Sequence, residues 1–204
     1  MDKRSYYLRY LNKTSTPPQS WYHRAKNKLL RERLGTLPPG SSILDAGCGC
    51  GNITEPFTGL YEVHGVDSQE DAVAHCRKNC SGHYVKASLY DLPFEDSSFD
   101  CIVCMDVIEH LSEPGRCISQ FHRVMKKNGL GIIATVNYDS ALWLLLENTW
   151  YRFFGGNCKP YDRNVHPSRF TPASLSACVE QSFMMEEFLL KNRGMEMFAI
   201  FRKQ

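Results

Sequence analysis

The sequence predicts an α/β fold: a doubly wound, mostly parallel seven-stranded sheet with a C-terminal antiparallel hairpin. Three observations predict it. Short apolar runs of strand character alternate with helical patterns along most of the chain. The first such run, Ile43-Leu44-Asp45-Ala46, passes directly into a loop in which glycine and cysteine alternate, Gly47-Cys48-Gly49-Cys50-Gly51. Two β-rich runs near the C-terminus, Met184–Leu190 and Met195–Phe201, flank a turn at Asn192-Arg193-Gly194 and read as a hairpin that closes the sheet.

Each element has its own signal. Residues 1–20 mix tyrosines, basic residues and Ser-Thr-Pro-Pro-Gln and read as an irregular or partly helical arm. Trp21, Ala25, Leu29, Leu30 and Leu34 keep helical spacing over 21–37, and Pro38-Pro39-Gly40 ends that helix. After the first strand, Asn52 is expected to begin a helix, with Pro56 limiting its start. Val63–Val66 is the second strand. Ser68 is the expected cap of the next helix, whose apolar side is Ala72, Val73 and Cys76. His83–Ala87 is a short third strand, and the near-continuous apolar run Phe99–Met105 is the best candidate for a central parallel strand. A helix over 112–127 turns Ile118, Phe121, Val124 and Met125 inward and stops at Asn128-Gly129. Leu130–Val136 is the fifth strand. Residues 138–170 interrupt the alternation with apolar and aromatic runs (Ala141–Leu146, Trp150–Phe154) around a single acid, Glu147. Thr171 caps a last helix with Pro172 at its first position. The domain plan is therefore a basic N-terminal helical cap over 1–40 and a main domain over 41–204 with an apolar insertion at 138–170.

A chain of 204 residues with 43% hydrophobic and 23% charged residues is an ordinary globular domain, long enough to bury about two-thirds of its unfolded surface. The net charge of +2 argues against a dedicated nucleic-acid binder. The charge is uneven: residues 1–40 carry nine Lys/Arg against two Asp/Glu, and the rest carries fifteen against twenty. Such a segment reads either as a solvated basic helix on an acidic body or as an arm that meets phosphate or an anionic membrane face. The first residues lack the apolar core of a leader, and no apolar run is long enough to span a bilayer, so the expectation is a cytoplasmic protein. Nine cysteines then read as free thiols. Cys101 and Cys104 fall three apart in a strand and face opposite sides, and Cys76 and Cys80 read as small packing residues on a helix.

The glycine loop carries the functional signal. Glycines let backbone approach a ligand with no Cβ in the way. Asp67 ends the second strand about 20 residues later, where a ribose hydroxyl would be held. Together they point to an adenosine-containing cofactor. The glycine loop, Asp67, Ser88 and Met105-Asp106 all fall at carboxyl ends of predicted strands, the edge where such sheets bind ligands.

An ordered set of motifs resembles the class I S-adenosylmethionine-dependent methyltransferases, which are Rossmann-like: ILDAGCGCGN at 43–52, VHGVDS at 63–68, DLPFEDSSFDCIV at 91–103, CMDVIEHL at 104–111 and HRVMKKNGLGIIATVN at 122–137. The glycines stand at one, three and five, with Asn52 at six where a dinucleotide site would have glycine. The resemblance implies S-adenosyl-L-methionine as cofactor and assigns roles. Gly47, Cys48 and Gly49 approach the methionine and ribose portions. Asp45 accepts from the α-ammonium or braces the loop. Asp67 accepts both ribose hydroxyls. Ser68 flanks the adenine. Ser88 stands where the family often has an acid for the adenine amino group, so that contact shifts to the Leu89 backbone. Met105 lines the cofactor.

For catalysis, Asp106, Glu109 and His110 stand at i, i+3 and i+4 and would share one helical face. The resemblance sharpens this, because quinone-pathway O-methyltransferases have a Glu-x-x-Glu-His stretch here, linked in that group to a divalent cation. The candidate catalytic residues are His110 and Asp106, with the metal question left open. Candidate substrate contacts are Tyr22 and Arg24 from the N-terminal helix, Trp143 from the insertion, and His166 and Arg169 before the last helix. The expected partner is a small-molecule acceptor methylated at oxygen, apolar or lipid/quinone-like. Nucleic acid is disfavoured, peripheral membrane contact through the aromatics and the basic arm is allowed, and the oligomeric state is left open. The rivals are a protein or nucleic-acid methyltransferase and a non-catalytic cofactor-binding regulatory subunit.

Overall fold

The computed structural model describes residues 19–149 and 165–204, with side chains from residue 26 onward in the first segment. Its elements are α1 (Gln19–Leu34), β1 (Ser42–Ala46), β2 (Glu62–Asp67), α2 (Glu70–Asn79), β3 (His83–Lys86), β4 (Phe99–Met105), α3 (Pro114–Val124), β5 (Met125–Val136), α4 (Ala141–Asn148), α5 (Pro172–Glu180), β6 (Met184–Lys191) and β7 (Glu196–Arg202). One seven-stranded sheet runs in the order β3-β2-β1-β4-β5-β7-β6. The first five strands of that order are mutually parallel, and β7 pairs antiparallel with both β5 and β6. Strand order reverses between β1 and β4, so a crevice opens beyond their carboxyl ends.

The central strands have the near-continuous hydrophobicity of strands covered on both faces. Alternation along β4 shows how this works. Cys101, Val103 and Met105 pack with Leu29, Leu30 and Leu34 of α1 on one side. Ile102 and Cys104 pack with Ile118, Phe121 and Val124 of α3 and Leu175 and Val179 of α5 on the other. Cys101 and Cys104 therefore face opposite layers, as strand periodicity requires. The three buried leucines of α1 contribute about 1.5–3 kcal/mol each by burial, and they hold the N-terminal helix on the sheet.

Four boundaries differ from the sequence reading. The glycine loop opens no full helix. Only a single 3₁₀ turn, Glu55–Phe57, follows it before β2. With ten residues between Gly51 and Glu62, and with Pro56 and Gly59 inside that span, there is no room for a hydrogen-bonded helix. Ser68 does not cap α2; Gln69 does, and its backbone N–H is satisfied by Asp67 Oδ1 at 2.8 Å. Helix α3 ends at Val124 rather than 127, because β5 begins at Met125, which pairs with Phe99. Asn128, in the left-handed region at φ 62°, lies within that strand rather than stopping the helix. Finally, α1 ends at Leu34, where Gly35 N–H closes on the Arg31 carbonyl at 3.0 Å. The N-terminal arm and the Trp150–Phe154 aromatics lie outside the described residues. Among the described residues no helix is long and apolar enough to cross a membrane.

Candidate active site

The loop after β1 is stitched to β2. Gly47 and Cys48 both donate their N–H to the Val66 carbonyl, at 2.7 and 2.9 Å. Gly47 has φ 82°, and a Cβ there would lie 2.4 Å from a Val107 methyl, so the position accepts only glycine. Gly49 donates its N–H to Asp67 Oδ2 at 2.9 Å. Asp67 thus spends one lone pair on each oxygen, on Gly49 and Gln69, and keeps one on each for two neighbouring hydroxyls. Asp45 lies beneath the loop, 2% exposed, and accepts from the Thr54 hydroxyl at 2.6 Å. Burial pushes its carboxyl up to about 7, against the lowering effect of Thr54 and with help from the Asp67 charge. In this geometry Asp45 ties the loop to the turn that follows it. These side-chain-free glycines beside a half-buried carboxylate with two spare lone pairs fit a ribose and the small polar chain of an amino acid.

The other proposed cofactor contacts are more dispersed. Ser68 is exposed. Ser88 is also exposed, and its hydroxyl accepts from the Tyr90 N–H at 3.1 Å. Leu89 and Met105 are 7% and 8% exposed and pack in the core on opposite sides of the sheet.

Beyond β4 the chain does not form the single helical face expected of Asp106, Glu109 and His110. Asp106 takes φ 55°, and only Ile108–His110 form a turn, of 3₁₀ type. Asp106 turns away from the other two. Asp106 pairs with Lys26 of α1, which is fully buried and also reaches Glu196 of β7 at 3.1 Å. Burial alone would lower the Lys26 pKa, but the Asp106 and Glu196 carboxylates outweigh it and hold the ammonium above its ordinary value. Glu196 is pushed up to about 7 by burial, against the pull of Lys26. Glu109 is 1% exposed, and burial with the nearby Asp106 charge pushes it up to about 8. Its Oε2 makes no hydrogen bond among the described residues.

His110 is exposed, and its Nδ1 lies 2.8 Å from the Val165 carbonyl. A carbonyl only accepts, so Nδ1 carries the proton and the Nε2 lone pair is the basic one. The segment before α5 is clamped against this turn: Ser168 donates from N–H to the Glu109 carbonyl at 3.2 Å and from its hydroxyl to the Leu111 carbonyl at 2.6 Å. That brings His166 edge-on to His110, ring centroids 4.5 Å apart. His166 is 3% exposed, bonds through Nδ1 to the Tyr138 hydroxyl, and is held down to about 3 by burial and by the neighbouring His110. It is therefore neutral at physiological pH. Arg169 stacks over the Tyr138 ring at 4.9 Å, and Trp143 packs edge-on against Tyr138 at 6.3 Å. Glu109, His110 and His166 offer one ligand atom each within 4.8 Å of one another, so the triad drawn together includes His166 where the sequence reading had Asp106.

Of the proposed substrate contacts, the structure gathers His166, Arg169 and Trp143 around Tyr138. The Tyr22 and Arg24 side chains lie outside the described residues, although their backbone belongs to α1. Sequence reasoning missed Lys26 and Tyr138. A lysine three and four residues before Leu29 and Leu30, on the apolar stripe of α1, was the available signal for the first. Nothing local marked Tyr138.

Residues 44–133 match the family model described as "Methyltransferase domain". A ubiquinone biosynthesis O-methyltransferase from Glaesserella parasuis is 30% identical over 118 residues, covering 52% of this chain and 50% of that protein. A probable S-adenosylmethionine-dependent methyltransferase from Mycobacterium tuberculosis is 33% identical over 119 residues, covering 57% and 43%. The chain thus spans about half the length of these curated relatives. The crystal structure of a TehB-like SAM-dependent methyltransferase from Corynebacterium glutamicum superimposes with a TM-score of 0.73 over 99% of this chain and 98% of that one, at 16% identity, a likeness of fold. Residues 44–133 thus resemble a methyltransferase domain, and the sheet order is that of the solved S-adenosylmethionine-dependent methyltransferase folds.

Proposed function

We propose that this chain transfers a methyl group to a small-molecule acceptor at oxygen, an apolar or quinone-like hydroxyl compound. S-adenosylmethionine, when bound, supplies an electrophilic methyl group on a sulfonium. The chain's own residues then have two tasks: to hold the acceptor in line and to remove its proton. The observation that carries the oxygen assignment is His110, at the carboxyl edge of the sheet, with Nδ1 committed to the Val165 carbonyl and Nε2 left basic. Neutral His166, Tyr138, Trp143 and Arg169 form the wall beside it. An aromatic wall with a stacked guanidinium suits a planar acceptor. The relatives named as ubiquinone biosynthesis O-methyltransferases support the same class. Asp106, bound to Lys26, acts as a positioning group, and Asp67 is the ribose acceptor.

The test is S-adenosylhomocysteine formation over a panel of catechols, hydroquinols, amines and thiols, together with calorimetry of cofactor binding. The expected result is turnover with hydroxyl acceptors. His110→Ala should lower kcat by about 10²-fold, the usual size of a general-base contribution, and leave cofactor affinity within threefold. Asp67→Ala should instead lose cofactor affinity. Turnover confined to amines, or a His110→Ala enzyme of full rate, overturns the oxygen assignment.

A further inference from the structure

Four of the nine cysteines crowd the cofactor loop, and methyl transfer uses none of their thiols. Cys48 and Cys50 lie in the loop, and Cys76 and Cys80 lie at the end of α2 beneath it. Cys76 Sγ is 3.2 Å from the Gly49 carbonyl oxygen, and Cys48 Sγ is 3.8 Å from the same atom. Cys80 Sγ is 3.8 Å from the Cys50 carbonyl oxygen. A Cβ on Gly51 would come within 2.9 Å of Cys80 Sγ and 3.3 Å of Cys76 Sγ, so both sulfurs lie beneath one α-carbon. Cys76 contacts the thiols of both Cys48 and Cys80. All four are free thiols.

The two helix cysteines are the pair suited to join. Four residues of helix rise about 6 Å, inside the Cα separation a disulfide spans. Cys80 is half-buried and opens the cluster to solvent, while Cys76 is fully buried behind it. When Cys76 loses its proton, the adjacent Cys48 thiol can donate to the sulfur instead of to the Gly49 carbonyl, and this holds the Cys76 pKa below the usual range.

We propose that Cys76 and Cys80 are a peroxide-sensitive dithiol whose disulfide weakens cofactor binding at the glycine loop. The binding half of this rests on the reading of that loop as the S-adenosylmethionine site. The Cys76 thiolate attacks hydrogen peroxide, forming a sulfenic acid and releasing hydroxide, which takes up a proton to become water. The Cys80 thiol then attacks the Cys76 sulfur. The S–S bond forms, and the sulfenic hydroxyl leaves as water with the Cys80 proton. Two thiols are oxidised by two electrons in all, and one peroxide is reduced to two waters.

The link to the cofactor is one residue. Gly49 donates its N–H to Asp67 and receives the Cys76 thiol at its carbonyl. Forming the disulfide removes that S–H donor and draws the sulfur toward Cys80. The Gly49 peptide then loses a constraint on one side, and its hold on Asp67 loosens on the other. Asp67 is the ribose-binding carboxylate, so the cost falls on the cofactor.

The experiment treats the fully reduced protein with one equivalent of hydrogen peroxide. Disulfides are mapped by proteolysis and mass spectrometry, and S-adenosylmethionine affinity is measured by calorimetry before oxidation, after it, and after dithiothreitol. The expected result is a Cys76–Cys80 linkage, an affinity loss of tenfold or more, and recovery on reduction. Cys80→Ser should bind the cofactor as the reduced wild type does, and with peroxide it should form no Cys76–Cys80 linkage and stop at a Cys76 sulfenic acid that dimedone traps. Two results overturn the proposal: thiols elsewhere oxidised with Cys76 and Cys80 still reduced, or the linkage formed with affinity unchanged. Reduced protein that binds no cofactor refutes the site reading, and with it the binding half of the proposal, while the disulfide map decides the linkage by itself.

Discussion

Lys26 shows how much one side chain organises. It is fully buried, and its ammonium lies between Asp106 and Glu196, which belong to the ends of two different strands. Removing one member of a buried charge group leaves its partners uncompensated, at a cost of about 3–5 kcal/mol. Glu196, already pushed up to about 7, takes a proton when its cation is lost and softens the effect. Lys26→Met should therefore destabilise the fold by about 3 kcal/mol in urea titration, toward the lower end of that range. It should also lower kcat, because Asp106 loses its anchor beside the His110 turn. The pairing of Asp67 with the glycine loop was legible in the sequence, because a glycine turn after one strand and an acid at the end of the next fix residue type and spacing together. Lys26 was not, because its partners stand 80 and 170 positions away and only the fold brings them near. The Asp106-Glu109-His110 reading failed for a related reason: helical spacing predicts a shared face only where the backbone is helical, and Asp106 is in the left-handed region.

Among the elements, α5 positions the proposed acceptor wall. Its N-terminus is a full capping box: the Thr171 hydroxyl accepts from the Ser174 N–H, and the Ser174 hydroxyl accepts from the Thr171 N–H at 2.9 Å. Just before it, the Phe170 carbonyl accepts from the Tyr138 N–H at 2.9 Å, so the cap also fixes the segment that carries His166. Thr171→Ala should cost about 1 kcal/mol, the usual value of such a cap, read as a melting temperature about 2–4 °C lower. All seven strands were visible in the sequence, the central ones as apolar runs and the edge strands β3 and β6 as short β-rich stretches between turn residues. The stretch after the glycine loop was misjudged, since the loop suggested a helix from Asn52 that Pro56 and the short span to β2 do not allow.

For the molecule as a whole, buried carboxylates give stability a distinctive pH dependence. Glu109, pushed up to about 8 from an ordinary 4.5, binds more protons folded than unfolded between those values. Stability from this group is complete below pH 4.5 and is lost as pH rises through 8. Asp45 and Glu196, both pushed up to about 7, act in the same direction. His166, held at about 3, acts oppositely but only below 6.5. Thermal melts of wild type should therefore fall between pH 6.5 and 8. Glu109→Gln, which faces the same Lys26, Asp106 and Thr135 but cannot ionise, should show a shallower slope. Equal slopes would remove Glu109 from the account. The ion group that joins Lys26, Asp106 and Glu196 also bears on ancestry. A lysine without its two acids, or two acids without their lysine, leaves charge stranded in the interior. The three positions should therefore change together among relatives, and a sequence alignment in which Lys26 varies independently of Asp106 and Glu196 would overturn this. A lineage that exchanges its N-terminal helix to reach a new acceptor must rewrite the ends of β4 and β7 in the same step.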